Sequence, residues 1–207
     1  MLSQINKGAI LVISGPSGCG KSSLLKEVYK QIDNYYFSIS TTTREPRDGE
    51  KDGVDYFFVS KEEFENGIKD NLFLEYASVH GNYYGTLLKP IIDSLSAEKL
   101  IIFDIDVQGY SIVHDQLSHV TTSVFITTPT ITQLENRLVN RKTDTQETIT
   151  KRLKNAQKEI QQLVLYDYFI VNDNLKEASK QLVSIANTSL LKTKLFNINN
   201  IIKEWNV

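Results

Sequence analysis

One cysteine, one methionine, one tryptophan and four prolines are all that 207 residues contain of these types. The lone cysteine, Cys19, cannot close an internal disulfide, which excludes a stapled secreted scaffold and leads us to expect a reducing, cytoplasmic setting. No apolar run approaches the roughly 20 residues needed to cross a bilayer, and residues 1–7 lack the apolar centre of a secretory signal. We therefore expect no membrane partner. Net charge is only −2, so the overall basic footprint of a nucleic-acid binder is missing too. The histidines, His80, His114 and His119, stand at no metal-ligand spacing and beside no nucleophile. Internal repeats and low-complexity segments are absent. What remains is a chain long enough for one well-cored domain without disulfide or metal staples.

Its hydrophobic pattern alternates in period. Residues 9–13 are an apolar run, and after a gap Leu24, Leu25, Val28 and Ile32 recur at helical spacing. Strands are expected at 35–40, 56–59, 73–79, 100–103, 123–126 and 168–171. Helices are expected at 90–95 and 109–116, and after capping pairs at Ser60/Glu63, Thr130/Gln133, Asp144/Glu147 and Asn174/Glu177. The Asp144 helix carries a stripe through Ile149, Leu153, Ala156, Ile160 and Leu163. This alternation predicts an α/β fold with a central parallel sheet, and the continuous apolar run at 100–103 suits a strand covered on both faces. Residues 38–90 differ: aromatic, turn-rich and built of short strands, they read as an inserted lobe. The apolar tail, 188–207, is expected to pack on the core rather than to hang out as a partner-binding segment.

Between the first strand and the first helix stands Gly15-Pro16-Ser17-Gly18-Cys19-Gly20-Lys21-Ser22, a G-x-x-x-x-G-K-[ST] phosphate loop in its proper strand–loop–helix context. Glycines let successive backbone N–H groups converge on phosphate oxygens, and the helix N-terminus adds a positive dipole end. Lys21 is expected on the terminal phosphates and the Ser22 hydroxyl on Mg²⁺, with Ser23 beside it binding or capping. A nucleoside triphosphate is the ligand this loop calls for. Cys19, at a helix N-terminus, is either a reactive thiol or a buried one.

The loop does not name the acceptor. Ser40-Thr41-Thr42-Thr43-Arg44-Glu45-Pro46-Arg47-Asp48-Gly49-Glu50 carries two arginines beside turn-forming Pro and Gly. Two guanidinium forks suit a phosphate, and an ordinary solvated turn would look the same; the spacing leaves both open. Downstream, Glu75 interrupts an apolar strand, with Tyr83-Tyr84-Gly85-Thr86 following. A carboxylate in an aromatic pocket needs a donor partner, and guanine offers two adjacent N–H groups on one edge where adenine does not.

Taken together, Ser-x-x-x-Arg-x-Pro-Arg-x-Gly-Glu, Tyr84-Gly85-Thr86, Asp104-Ile105-Asp106-x-Gln108-Gly109 and the phosphate loop resemble the guanylate kinase family over residues 8–187. The resemblance implies a P-loop NTPase three-layer fold. Its parts would be a core (1–37, 91–129, 164–187), a GMP-binding lobe (38–90) and a helical lid (130–163). It implies ATP and GMP as substrates, Mg²⁺ as cofactor, and a monomer or homodimer. By resemblance Arg44, Arg47, Tyr56 and Tyr84 hold the GMP phosphate, and Glu75, Ser40 and Thr86 hold the guanine edge. Asp104 would stand near the Mg²⁺ hydration shell, Asp106 near the acceptor, and Asn172 with Asp173 beside the adenine. The lid would bring Arg137, Arg141 and Arg152 to the transferring phosphoryl group, where cations must offset spreading negative charge. The sequence departs from the family at Arg141-Lys142-Thr143-Asp144, where a glycine usually stands in place of Lys142. A catalytically silent, peptide-binding relative and a P-loop kinase with another acceptor are the competing readings; the intact Lys21, Arg44, Arg47 and Arg137 argue against the former.

Overall fold

The computed structural model describes residues 8–79, 81–141 and 144–205. Residues 1–7, His80, Lys142, Thr143 and residues 206–207 lie outside the described residues, and with them the expected departure at Lys142. Five parallel strands form the main sheet in the order β2-β7-β1-β8-β9. They are β1 (Ala9–Ser14), β2 (Tyr35–Phe37), β7 (Leu100–Asp104), β8 (Thr121–Thr127) and β9 (Tyr168–Val171). Every residue of β1 is buried. Because successive side chains point to opposite faces, both faces of this strand are covered, as a three-layer α/β arrangement requires. Each fully buried Ile, Leu or Val here contributes about 1.5–3 kcal/mol by leaving water.

Helices α1 (Lys21–Tyr29) and α7 (Leu175–Ser189) pack together, and α7 also touches β1 and β9. Helices α3 (Leu88–Ser96) and α4 (Val107–Leu117) lie against β7 and β1, and both reach a second sheet. That sheet, ordered β4-β3-β6-β5, comprises β3 (Thr41–Thr42), β4 (Phe57–Phe58), β5 (Phe73–Val79) and β6 (Asn82–Leu87). Helix α2 (Lys61–Lys69) opens with the expected reciprocal capping box of Ser60 and Glu63. Its Phe64 stacks between Phe73 and Tyr83, at centroid distances of 4.3 and 5.1 Å. Helices α5 (Ile131–Asn140) and α6 (Gln146–Glu159) pack on each other.

Several boundaries differ from expectation. The 35–40 strand stops at Phe37, since the chain then leaves the main sheet to build β3. Strands β3 and β6 were not anticipated, because neither alternates apolar with polar residues; they exist through pairing with each other and with β4 and β5. Helix α4 begins at Val107 rather than at a Gln108–Gly109 turn, because the Asp106 carboxylate accepts from both the Gln108 and Gly109 amides and starts the helix earlier. The N-cap of α6 is Thr145, whose hydroxyl accepts from the Thr148 amide. Asp144 instead takes an Arg152 guanidinium at 3.0 Å, a charge-assisted bond stronger than a cap. The α6 stripe also breaks at Ile160, where a 3-10 segment, Ile160–Leu165, tightens the chain before β9.

The tail only half fulfils its expectation. Leu195 is buried and Leu190 packs on the core, but the closing helix α8 (Ile198–Trp205) buries no residue, and Trp205 is 86% exposed. Ile198, Ile201, Ile202 and Trp205 share one apolar face of α8 at helical spacing, so the asparagines do not break it, but that face stands in water instead of on the core.

Candidate active site

Gly15 takes φ 142°, and a Cβ there would run into the Ile126 carbonyl oxygen; only glycine lets the loop leave β1 so close to β8. Gly20, at φ 100°, is the N-cap of α1 and supplies no side-chain cap, and the first-turn residues Lys21, Ser22 and Ser23 line a cavity. Lys21 folds back over the loop, donating to the Gly15 carbonyl at 2.6 Å and lying 3.8 Å from the Asp104 carboxylate at the end of β7. Burial, the largest single influence, would lower the Lys21 ammonium, but Asp104 and then Cys19, Glu159 and Tyr56 together hold the lysine above its usual value. Burial pushes the Asp104 carboxyl up, with Lys21 opposing. The Cys19 side chain is fully buried and its thiol is pushed up by burial, so the thiol is inert and the residue serves through its backbone.

Two side chains pin that backbone from outside the loop. The Asn172 amide donates to the Cys19 carbonyl at 2.8 Å, and Arg137 of α5 donates to the same oxygen at 3.1 Å and to the Asn172 carbonyl at 2.7 Å. Arg152 of α6 reaches the Ser17 hydroxyl at 2.6 Å. The α5–α6 pair is thus anchored on the loop by two of its arginines. Arg141 ends α5, exposed, on the cavity wall.

This cavity holds about 780 Å³ and is lined by the loop, Ser22, Ser23, Asp104, Arg137, Arg141 and Asn172. A second one, of about 220 Å³, adjoins it and is lined by Ser40, Glu75, Ala77, Tyr84 and Gly109. Tyr56, Asp104, Ile105 and Asp106 belong to both walls. The larger space falls within the ~300–1,000 Å³ of ordinary ligand sites and the smaller below it, a size suited to part of a ligand. Two carboxylates and one hydroxyl, of Asp104, Asp106 and Tyr56, therefore stand where two ligands would meet.

Glu75 is 7% exposed, with Oε1 accepting from the Thr86 hydroxyl at 2.7 Å. Burial raises its carboxyl above the usual range, and nearby Asp106 adds to the shift. Arg44 lies over the Tyr56 and Phe58 rings, 5.3 and 5.7 Å from their centroids, and donates to both oxygens of Glu50 at 2.9 and 2.8 Å. The Glu50 carboxylate also accepts from the Arg47 amide at 2.8 Å, so one acid fixes the arginine-bearing turn. Burial, then Tyr84, hold the Tyr56 hydroxyl above its ordinary value, which keeps it a neutral donor.

The structure brings Lys21, Ser22, Asp104, Arg137 and Arg141 to one cavity and Ser40, Tyr56, Glu75 and Tyr84 to the other, with Asp106 between. It does not bring Arg47 there: that side chain is exposed on its turn. Asn172 touches the larger cavity with its amide spent on the loop. Glu159, Ala77 and Leu175 were missed. Glu159 lies seven residues after Arg152, two turns along the same helical face, which is a signal the sequence did contain. Ala77 and Leu175 carry no chemistry that a sequence would flag. Among the described residues no group of three or more His, Cys, Asp or Glu is placed to hold a metal, and no helix is long and apolar enough to cross a membrane.

Comparison with known proteins agrees with this geometry. The family model described as guanylate kinase matches residues 7–189. A guanylate kinase of Sulfurimonas denitrificans is 54% identical over 198 residues, covering 96% of each chain. One of Wolinella succinogenes is 52% identical, covering 97% of this chain and 93% of its own. The crystal structure of guanylate kinase from Anaplasma phagocytophilum superposes with a TM-score of 0.74 at 33% identity, over 91% of this chain and 89% of that one. A phosphate loop facing a buried acid across shared walls, together with this likeness over nearly the full length, places the chain in the guanylate kinase family.

Proposed function

We propose that this chain transfers the γ-phosphoryl group of ATP to GMP, giving ADP and GDP, and accepts dGMP in the same pocket. The observation that carries the reading is the shared wall at residues 104–106, which puts the Lys21 cavity and the Glu75 pocket within reach of a single transferring group. In this reading residues 38–90 form the acceptor lobe, 130–163 the lid and the rest of 1–187 the core, with 188–207 as a tail. The physical basis is positioning and charge, since phosphoryl transfer leaves little covalent work for a protein.

The loop amides and the positive end of α1 would take the β- and γ-phosphates, with Lys21 across them. Arg137 and Arg141 would meet the charge that spreads in the transition state, and Arg152 would act through Ser17 and the loop. Asp104 orients Lys21, and Asp106 starts α4 beside the acceptor. Ser40, Thr86 and Glu75 would read the guanine edge; Arg44, Tyr56 and Tyr84 would hold the acceptor phosphate, joined by Arg47 when its turn engages. Asn172 and Asp173 would border the adenine. Ser22, exposed in the first turn of α1 on the cavity wall, fits Mg²⁺, which takes one or two protein oxygens plus phosphates and water. When bound, the ion would neutralise phosphate charge. The single buried, unpaired Cys19 supports a cytoplasmic setting.

A coupled assay with ATP and each of GMP, dGMP, AMP, UMP and TMP tests the proposal. Turnover confined to the guanine acceptors is expected. Preference for another base would overturn the acceptor assignment, and no turnover with any acceptor would favour a binding module.

A further inference from the structure

We propose that Gly109 is a specificity-determining residue of the acceptor pocket, a glycine kept free of a side chain so that the acceptor base can approach Glu75. This deepens the reading of that pocket as the guanine site. The argument is one of elimination over all ten glycines. Six take positive φ, where a side chain would be strained. At Gly8, Gly67 and Gly85 a Cβ would come within 2.8 to 2.9 Å of a neighbouring atom of the protein.

Gly109 meets neither demand. It lies in the first turn of α4 with negative φ, its amide donating to Asp106 at 2.9 Å, a conformation any residue adopts. A Cβ there would stand 3.4 Å from Ile105 and 3.5 Å from Glu75 Oε2, ordinary van der Waals contacts. Glycine inside a helix is less favourable than alanine, so the protein alone would be served better by a methyl group.

What a methyl group would occupy is the pocket. Gly109 lines it, and Oε2 is the Glu75 oxygen on that side, while Oε1 takes the Thr86 hydroxyl. A side chain at 109 would fill the space through which a donor edge reaches Oε2 and would strip water from that oxygen. Folding and acceptor recognition therefore pull in opposite directions at this one position.

Gly109→Ala and Gly109→Ser in the full chain test this, with thermal melting and steady-state kinetics for both substrates. Alanine is expected to leave the melting temperature unchanged or raise it by about 2–4 °C. It should raise the KM for GMP about tenfold or more, with serine worse, as overpacking of a fitted site does. The KM for ATP should stay within about twofold, since ATP occupies the other cavity. GMP kinetics like the parent's would overturn the inference, as would a drop of several degrees in melting temperature, which would assign the glycine to packing against Ile105. Glu75→Gln, measured alongside, separates the two levels. If it loses guanine selection while Gly109→Ala behaves as the parent, the pocket stands and the role of Gly109 falls. If neither variant changes GMP kinetics, the pocket assignment itself fails.

Discussion

Glu75 shows how one side chain sets stability against function. Burial raises its carboxyl above the ordinary range, so the unfolded chain ionises first as pH rises, and the folded state loses stability between the ordinary value and the raised one. Glu75→Gln removes that loss, and a higher melting temperature than the parent's at pH 7 is expected, accompanied by loss of the preference for guanine over adenine. Acceptor binding has the opposite sign: it needs the charged form. The KM for GMP should therefore climb on acidification from a higher pH than an ordinary glutamate would give, and the glutamine variant should lack that limb. Arg44 answers a different question. Held over two rings and tied to Glu50, it is preorganised rather than free. Removing one charge-assisted contact to a phosphate costs about 1.5–3 kcal/mol, so Arg44→Ala should lower kcat/KM for any monophosphate roughly 10- to 150-fold. An unchanged kcat/KM would release Arg44 from the acceptor site.

Elements matter here mainly as levers. Helices α5 and α6 make little of their own site; they carry arginines to a loop built by β1 and α1. Arg137 spans two backbone carbonyls at once, which a lysine ammonium cannot do in the same geometry. If Arg137 meets the transition state as proposed, Arg137→Ala should lower kcat by about 10³-fold or more, the scale on which transition-state arginines act. Arg137→Lys should restore part of the charge effect but not the anchoring of α5. A lysine variant with full activity would mean that charge alone matters. The sequence foretold the arginines and the helices but not what the guanidinium groups grip. Pairwise spacing says that 137 and 141 share a face; it says nothing of a carbonyl at position 19 or 172, since that approach is made by the whole fold.

At the scale of the molecule, the core is one continuous cluster running from β1 through α7 to Leu195. Lys192 adds a bond to the Thr121 carbonyl at the start of β8. Helix α8 lies beyond it with its apolar residues in water. Ending the chain after Phe196 should leave the melting temperature and GMP turnover unchanged within error. Leu195→Ala should instead destabilise by about 2–3 kcal/mol, the low end for a buried leucine near a surface, read as a shift in denaturant midpoint. A large loss from the first truncation would show that α8 contributes to the fold after all.

The phosphate loop, the buried strands and most helix starts could be read directly from the chain, because glycine φ, side-chain alternation and capping are local physics acting over a few residues. Glu75, Asp104 and the arginines of α5 and α6 were legible as chemistry, with destinations that only the family resemblance supplied. The tertiary structure alone decided that β3 and β6 exist, that Asp144 serves Arg152 instead of a helix end, that Arg47 faces solvent, and that residues 104–106 form a wall common to two cavities. Those outcomes depend on hydrogen bonds and contacts between residues far apart in sequence, whose energies no local pattern encodes.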